Sequence, residues 1–74
     1  MSNTFVPARL EMARAIRQMT ATALAAEVGV TAPWISQTEN LKRTPSPELI
    51  REFARALDFP VDFFYRPVTA LPPT

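Results

Sequence analysis

Eight prolines stand in a chain of 74 residues, at positions 7, 33, 45, 47, 60, 67, 72 and 73, and they divide it almost by themselves. With no amide proton and a fixed φ, proline is tolerated in the first turn of a helix and breaks its interior. Pro7 therefore suits a helix start. From Ala8 to Met19 the apolar residues Leu10, Ala13, Ile16 and Met19 recur at helical spacing, while Arg9, Glu11, Arg14, Arg17 and Gln18 fill the other faces. Thr20 sits where an N-cap is wanted, before Ala21 to Val28, a run of good helix formers closed by Gly29, the only glycine. Thr31 can cap again, Pro33 falls in a first turn, and Trp34 to Glu39 complete a third short helix.

The stretch from Asn40 to Pro45 is polar and reads as a loop. Ser46 and Pro47 then open a fourth helix with Leu49, Ile50, Phe53, Ala54 and Leu57 on one face. Asp58, one of the few non-glycine residues that accept a left-handed conformation, ends it. A short fifth helix is predicted from Val61 to Tyr65, and the proline-bearing tail after it is expected to be extended or frayed. No strand-period segment, internal repeat or heptad series is present. A chain this short makes one domain.

Composition removes whole classes of chemistry. There is no cysteine and no histidine, so the commonest zinc and iron ligands, the thiol nucleophile and the imidazole base are missing. No catalytic residue, metal or cofactor is implied, and an enzyme is not expected. Asp58 and Asp62 flank a helix end, where capping explains them. The lack of cysteine suits a reducing cytoplasm. Eight basic residues against seven acidic ones give a net charge of +1, which does not advertise a nucleic-acid partner. Distribution says more. Up to residue 43, Arg9, Arg14, Arg17, Lys42 and Arg43 face only Glu11, Glu27 and Glu39, whereas Glu48, Glu52, Asp58 and Asp62 outnumber Arg51, Arg55 and Arg66 later on. No apolar run approaches the ~20 residues of a membrane span, and the first residues lack the apolar core of a signal peptide.

A short helix, a glycine turn and a second short helix are the geometry of a helix-turn-helix, whose second helix lies in the DNA major groove. The run Met19-Thr20-Ala21-Thr22-Ala23-Leu24-Ala25-Ala26-Glu27-Val28-Gly29-Val30-Thr31-Ala32-Pro33-Trp34-Ile35-Ser36-Gln37-Thr38-Glu39-Asn40 resembles the Cro/C1-type, or XRE-type, helix-turn-helix family. The family pattern also takes in Arg14 and Arg17, Pro45-Ser46-Pro47-Glu48-Leu49 and Ala54-Arg55-Ala56-Leu57, so that it covers residues 8–65. It implies an all-α fold, a compact five-helix lambda-repressor-like bundle, with residues 1–7 as an N-terminal arm, 8–65 as the DNA-binding domain and 66–74 as a flexible Pro-rich tail. A narrower resemblance lies at the ends. Phe5-Val6-Pro7-Ala8-Arg9-Leu10 and Phe59-Pro60-Val61-Asp62-Phe63-Phe64-Tyr65-Arg66-Pro67 look like the N-terminal module of regulators that continue into an ImmA/IrrE-type metallopeptidase-like domain. That domain would bring an H-E-x-x-H zinc helix. With no histidine present, either the chain is a shortened module or the motif stands alone.

Carried onto matching positions, the resemblance implies that Ala32, Pro33, Ser36 and Gln37 face the groove, with Thr31 and Trp34 beside them. Gln37 is the best base reader, since its amide can pair with adenine N7 and N6; Ala32 and Pro33 offer at most apolar contact to a thymine methyl. Trp34 either packs on a sugar-phosphate edge or anchors a protein partner, or else folds against helix two beside Ala21 or Ala25. Phosphate contacts are implied for Thr20, Ala21, Thr22, Asn40, Lys42 and Arg43, with Ala21 and Thr22 acting through backbone amides at a helix N-terminus. Two positions depart from the pattern. Ala21 stands where a bracing glutamine is common, and Leu41 replaces the usual loop glycine, so Asn40 is expected to supply the left-handed residue. Thr38 occupies a commonly aliphatic site, which suggests a partly exposed edge. Arg14 is expected to brace against Glu39.

The expected core is Leu10, Met19, Leu24, Ala25, Val28, Val30, Ile35, Leu49, Phe53, Ala54 and Leu57. Phe59, Phe63, Phe64 and Tyr65 are four of the seven aromatics and suggest a sticky surface, used either in a homodimer or against a missing C-terminal domain. The leading expectation is a cytoplasmic transcriptional regulator, a repressor that binds double-stranded DNA as a dimer, with no membrane association. The rival is a helix-turn-helix protein-interaction module, such as an antitoxin or regulatory domain that spends its recognition helix on a protein partner. Trp34, Ala32 and Pro33 with the low net charge favour the rival; Gln37, Lys42 and Arg43 favour DNA.

Overall fold

Three of the helices begin on a hydroxyl side chain. The Thr20 Oγ1 accepts from the Ala23 amide at 3.0 Å, Thr31 Oγ1 from Trp34 at 3.2 Å and Ser46 Oγ from Leu49 at 3.2 Å, each satisfying a donor that the first turn leaves free. The computed structural model describes residues 4–67. Within them lie α1 (Pro7–Arg17), α2 (Ala21–Val28), α3 (Ala32–Glu39), α4 (Pro47–Leu57) and a 3₁₀ turn, Val61–Tyr65. The described residues contain no strand, and the architecture is an all-α bundle with a helix-turn-helix at its centre. The expected fifth helix is this tighter 3₁₀ turn, a form that short segments adopt readily. Residues 1–3 of the expected arm and 68–74 of the expected tail lie outside the described residues.

Left-handed residues stop the helices, and their placement corrects two expectations. α1 ends at Arg17, two residues short of the expected Met19, stopped by Gln18 at φ 56°. Its early stop frees Thr20 to cap α2. Gly29 (φ 81°) and Asp58 (φ 58°) close α2 and α4 as their residue types predict. After α3 the left-handed residue is Leu41, at φ 64°, and not Asn40, whose φ is −100°. The reason is local. Asn40 Nδ2 donates back to the Ser36 carbonyl at 2.9 Å, holding Asn40 on the helical side, and the Lys42 amide donates to the Gln37 carbonyl at 2.8 Å across the reversal. A leucine carries a penalty of about 1–2 kcal/mol in this conformation.

The buried core comprises Phe5, Leu10, Ala13, Leu24, Ala25, Ile35, Ile50, Phe53, Ala54, Leu57 and Phe64. Met19, Val28, Val30 and Leu49 pack at its margin and not inside it, and Ile16 lies 55% exposed. Phe5 belongs to the segment read as an arm, yet it is inserted into the core, and the Val6 amide donates to the Phe64 carbonyl at 2.8 Å. Thr38 is fully buried, which corrects the exposed edge expected for it: its hydroxyl donates to the Trp34 carbonyl at 2.9 Å, so a β-branched polar residue fills an aliphatic site without an unsatisfied group.

The aromatic surface expected at 59–65 is smaller than composition suggests, because Phe64 is withdrawn from it while Phe59, Phe63 and Tyr65 stay half-buried. Phe64 is wholly buried and meets Phe63 and Phe59 edge-on at 5.3 and 6.5 Å, while Phe59 stacks on Phe63 at 4.4 Å. The Arg9 guanidinium lies 4.8 Å above the Phe63 ring and that of Arg17 lies 4.5 Å above Phe59. Two arginines thus roof the cluster that composition alone left exposed, and Phe64 offers no surface to an interface.

Candidate nucleic-acid interface

Helix α3 is positioned by what it buries. Ile35 and Thr38 point into the core, and Glu39 is tied to α1 by Arg14, whose Nε and Nη2 donate to the two carboxylate oxygens at 2.6 and 2.8 Å. A third donor, Arg14 Nη1, reaches the Met19 carbonyl at 3.1 Å. The bonds to Glu39 push the Arg14 pKa up, against the opposing effect of burial. This brace fixes the C-terminal end of α3 against α1 and the start of the helix-turn-helix.

What α3 leaves outside is a single stripe. Pro33, Ser36, Gln37 and Asn40 are all exposed, at the i, i+3, i+4 and i+7 spacing of one helical face. Ala32 is half-buried, and Thr31 is exposed with its oxygen used as a cap. Asn40 spends its side-chain donors within the helix, on the Ser36 carbonyl and, at 3.4 Å, the Ser36 hydroxyl. At the start of α2, Thr20 and Thr22 are exposed and Ala21 half-buried; the Thr20 oxygen is occupied by Ala23, which leaves the amides of Ala21 and Thr22 without a capping side chain.

Trp34 is half-buried, with its ring 6.5 Å from that of Phe53 on α4. Its outer face carries the Arg43 guanidinium at 5.1 Å. From there Arg43 also donates through Nε and Nη2 to the Gln37 Oε1, at 3.2 and 3.1 Å. The loop arginine, the tryptophan and the outward glutamine form one cluster. Sequence reading singled out all three residues but assigned them separate partners; the spacing of 37 and 43 across a loop gives no periodic signal that would join them. Arg17 was also missed as a brace: its Nε and Nη2 donate to the Leu57 and Asp58 carbonyls at 2.7 and 2.8 Å, closing the C-terminal end of α4.

Among the described residues four of the eight cations are paired with a carboxylate, and Arg9, Arg17, Lys42 and Arg43 are not. Arg14, Arg51, Arg55 and Arg66 pair with Glu39, Glu48, Glu52 and Asp62. Lys42 and Arg43 have no carboxylate at ion-pair distance among the described residues. Both lie in the loop that follows α3, so two cations stand at the C-terminal end of the helix that carries the exposed stripe.

Two short helices joined by Gly29, Val30 and Thr31, the second with one face buried and the other bare, define a helix-turn-helix protein. A family model described as a helix-turn-helix domain matches residues 8–62, and the chain belongs to that family. No curated protein and no solved structure matches it. At the coarse level the family points to a DNA-binding regulator and is typically non-enzymatic. Among the described residues no helix is long and apolar enough to cross a membrane, and no group of three or more metal-ligating side chains is gathered.

Proposed function

We propose that the protein is a sequence-specific transcriptional repressor of the Cro/C1 (XRE) type, which inserts α3 into the major groove of double-stranded DNA. The observation that carries this reading is the exposed stripe of Pro33, Ser36, Gln37 and Asn40 beside Lys42 and Arg43, cations without a carboxylate partner among the described residues. Gln37 and Ser36 read base edges, Lys42 and the amides of Ala21 and Thr22 hold phosphates, and Pro33 and Ala32 contribute apolar contact. One module reaches few phosphates. Two copies on a palindromic operator, with their recognition helices about 34 Å apart, supply the remaining affinity and repress by occluding a promoter. The outer edges of Phe59, Phe63 and Tyr65, half-buried in one copy, lie on the proposed dimer contact. The working compartment is the cytoplasm.

The test is selection of bound duplexes from a random library, followed by fluorescence anisotropy on the selected sequence at two salt concentrations. The expected result is submicromolar binding that falls as salt rises, with a slope near −0.9 per phosphate contacted. Lys42→Ala lowers the slope by about one and weakens all sequences alike. A folded protein that enriches no sequence and shows no competable binding at low salt refutes the reading and transfers α3 to a protein partner.

A further inference from the structure

The Gln37 amide has two faces with opposite hydrogen-bonding character, and Arg43 occupies one of them. A free glutamine offers one acceptor and two donors, which suits adenine, whose major-groove edge carries an N7 acceptor and an N6 donor. Here Oε1 already accepts two bonds from Arg43, at 3.2 and 3.1 Å. An oxygen so engaged has no lone pair left for the adenine N6 amine. Arg43 is itself held, because its guanidinium lies over the Trp34 ring, and that ring packs at the core margin near Phe53. The chain Phe53, Trp34, Arg43, Gln37 therefore runs from the interior to the reading surface and sets which way the amide turns.

We propose that this cluster makes α3 a donor-only reading head, directed at the guanine edge, where O6 and N7 are both acceptors. The inference rests on the proposed insertion of α3 into the major groove and deepens it. Gln37 Nε2 and the remaining donors of Arg43 meet two acceptors on guanine; on adenine they meet one acceptor and one opposing donor. Arg43 is then a positioning residue for Gln37 as well as a contact. Phosphate oxygens also accept from arginine, but a phosphate contact carries no base preference, so the two roles separate by measurement.

The experiment takes the duplex enriched by wild-type selection, finds the base pair whose preference Gln37→Ala erases, and permutes it through all four pairs. Wild type is expected to bind guanine about tenfold better than adenine there. Arg43→Ala frees Oε1 and is expected to reverse that order, so that adenine gains on guanine. A wild-type preference for adenine, or an Arg43→Ala variant that weakens all four pairs equally, overturns the inference. The cluster is also read without DNA. NMR of the free protein should show contacts between Arg43 side-chain protons and the Trp34 ring, with an Arg43 Nε–H resonance that shifts in Gln37→Ala; their absence overturns the cluster itself. Their presence in a protein that selects no sequence refutes the insertion of α3, and the reading head with it, while the cluster stands.

Discussion

Removing the Arg14 guanidinium tests whether the brace between α1 and α3 holds the helix-turn-helix in place. Arg14→Met keeps most of the apolar stem and deletes three charge-assisted donors, two to Glu39 at 2.6 and 2.8 Å and one to the Met19 carbonyl at 3.1 Å. The Glu39 side chain is only 9% exposed, and that of Arg14 19%. Breaking a fully buried pair costs about 3–5 kcal/mol because one charge is stranded. An arginine one-fifth exposed lets some water in, so about 2–3 kcal/mol is the expected loss, after the discount that solvent screening requires. For a domain of this size each kcal/mol moves Tm by about 4–8 °C, hence a fall of roughly 8–24 °C in thermal unfolding followed by helical circular dichroism. The double variant Arg14→Met/Glu39→Leu leaves no stranded charge and should recover at least ~1.5 kcal/mol of the summed single losses. The Arg14 pKa is raised in the folded state, so its contribution is complete below the unfolded value and is lost only as pH climbs through the folded one. From the arginine side, then, stability is flat across the neutral range and declines only in strong alkali. A double-mutant cycle that closes additively, within ~0.5 kcal/mol, would refute the brace.

Three further substitutions probe the places where structure and sequence reading part. Leu41→Gly relieves a left-handed leucine worth about 1–2 kcal/mol against a glycine entropy cost of about 0.5–1 kcal/mol. With the side chain 79% exposed, little packing is lost, and Tm should rise by a few degrees; a fall would mean that the φ of 64° carries no strain. Phe5→Ala should destabilise by about 3 kcal/mol, since a core phenylalanine is removed, and a chain begun at residue 8 should lose a comparable amount; urea midpoints that hardly move would return Phe5 to a loose arm. Thr38→Val is expected to stay within ~1 kcal/mol of wild type, because the hydroxyl's bond to the Trp34 carbonyl disappears together with the hydroxyl. A loss above ~2 kcal/mol in chemical denaturation would make that bond a structural requirement.

Helix positions were legible because their signals are local. Caps at Thr20, Thr31 and Ser46, first-turn prolines at 33 and 47 and the stops at Gly29 and Asp58 each act within a few residues, so a linear reading can find them. The errors fall where a distant residue decides. Met19, Val28, Val30 and Leu49, expected in the core, lie at its margin, since burial depends on which helices arrive opposite them. Phe5 precedes every periodic segment, and only the 3₁₀ turn, through the Phe64 carbonyl that receives Val6, brings it inside. The aromatic run 59–65 reads as more exposed than it is because composition counts rings and does not see that Phe64 is buried and that Arg9 and Arg17, about fifty and forty residues earlier, lie over Phe63 and Phe59.

The candidate interface shows the same division, sharpened by electrostatics. A net charge of +1 is a sum over pairs that cancel, and it hides where cancellation fails. Arg51 and Arg55 meet carboxylates three residues away on α4, and Arg66 meets Asp62 four residues away on exposed surface, so these charges project little field. Arg14 is consumed by Glu39, and Arg9 and Arg17 are turned onto carbonyls and rings. Lys42 and Arg43 also lack a carboxylate among the described residues, and they follow the one helix whose outer face carries Ser36 and Gln37. Two of the four cations without a carboxylate partner among the described residues therefore lie beside the exposed face of α3, which a net charge of +1 does not show. The pairs of Glu48 with Arg51 and Glu52 with Arg55 follow helical spacing, whereas the Arg43 contact with Gln37 spans the left-handed turn at Leu41, a turn that the residue type at 41 argues against.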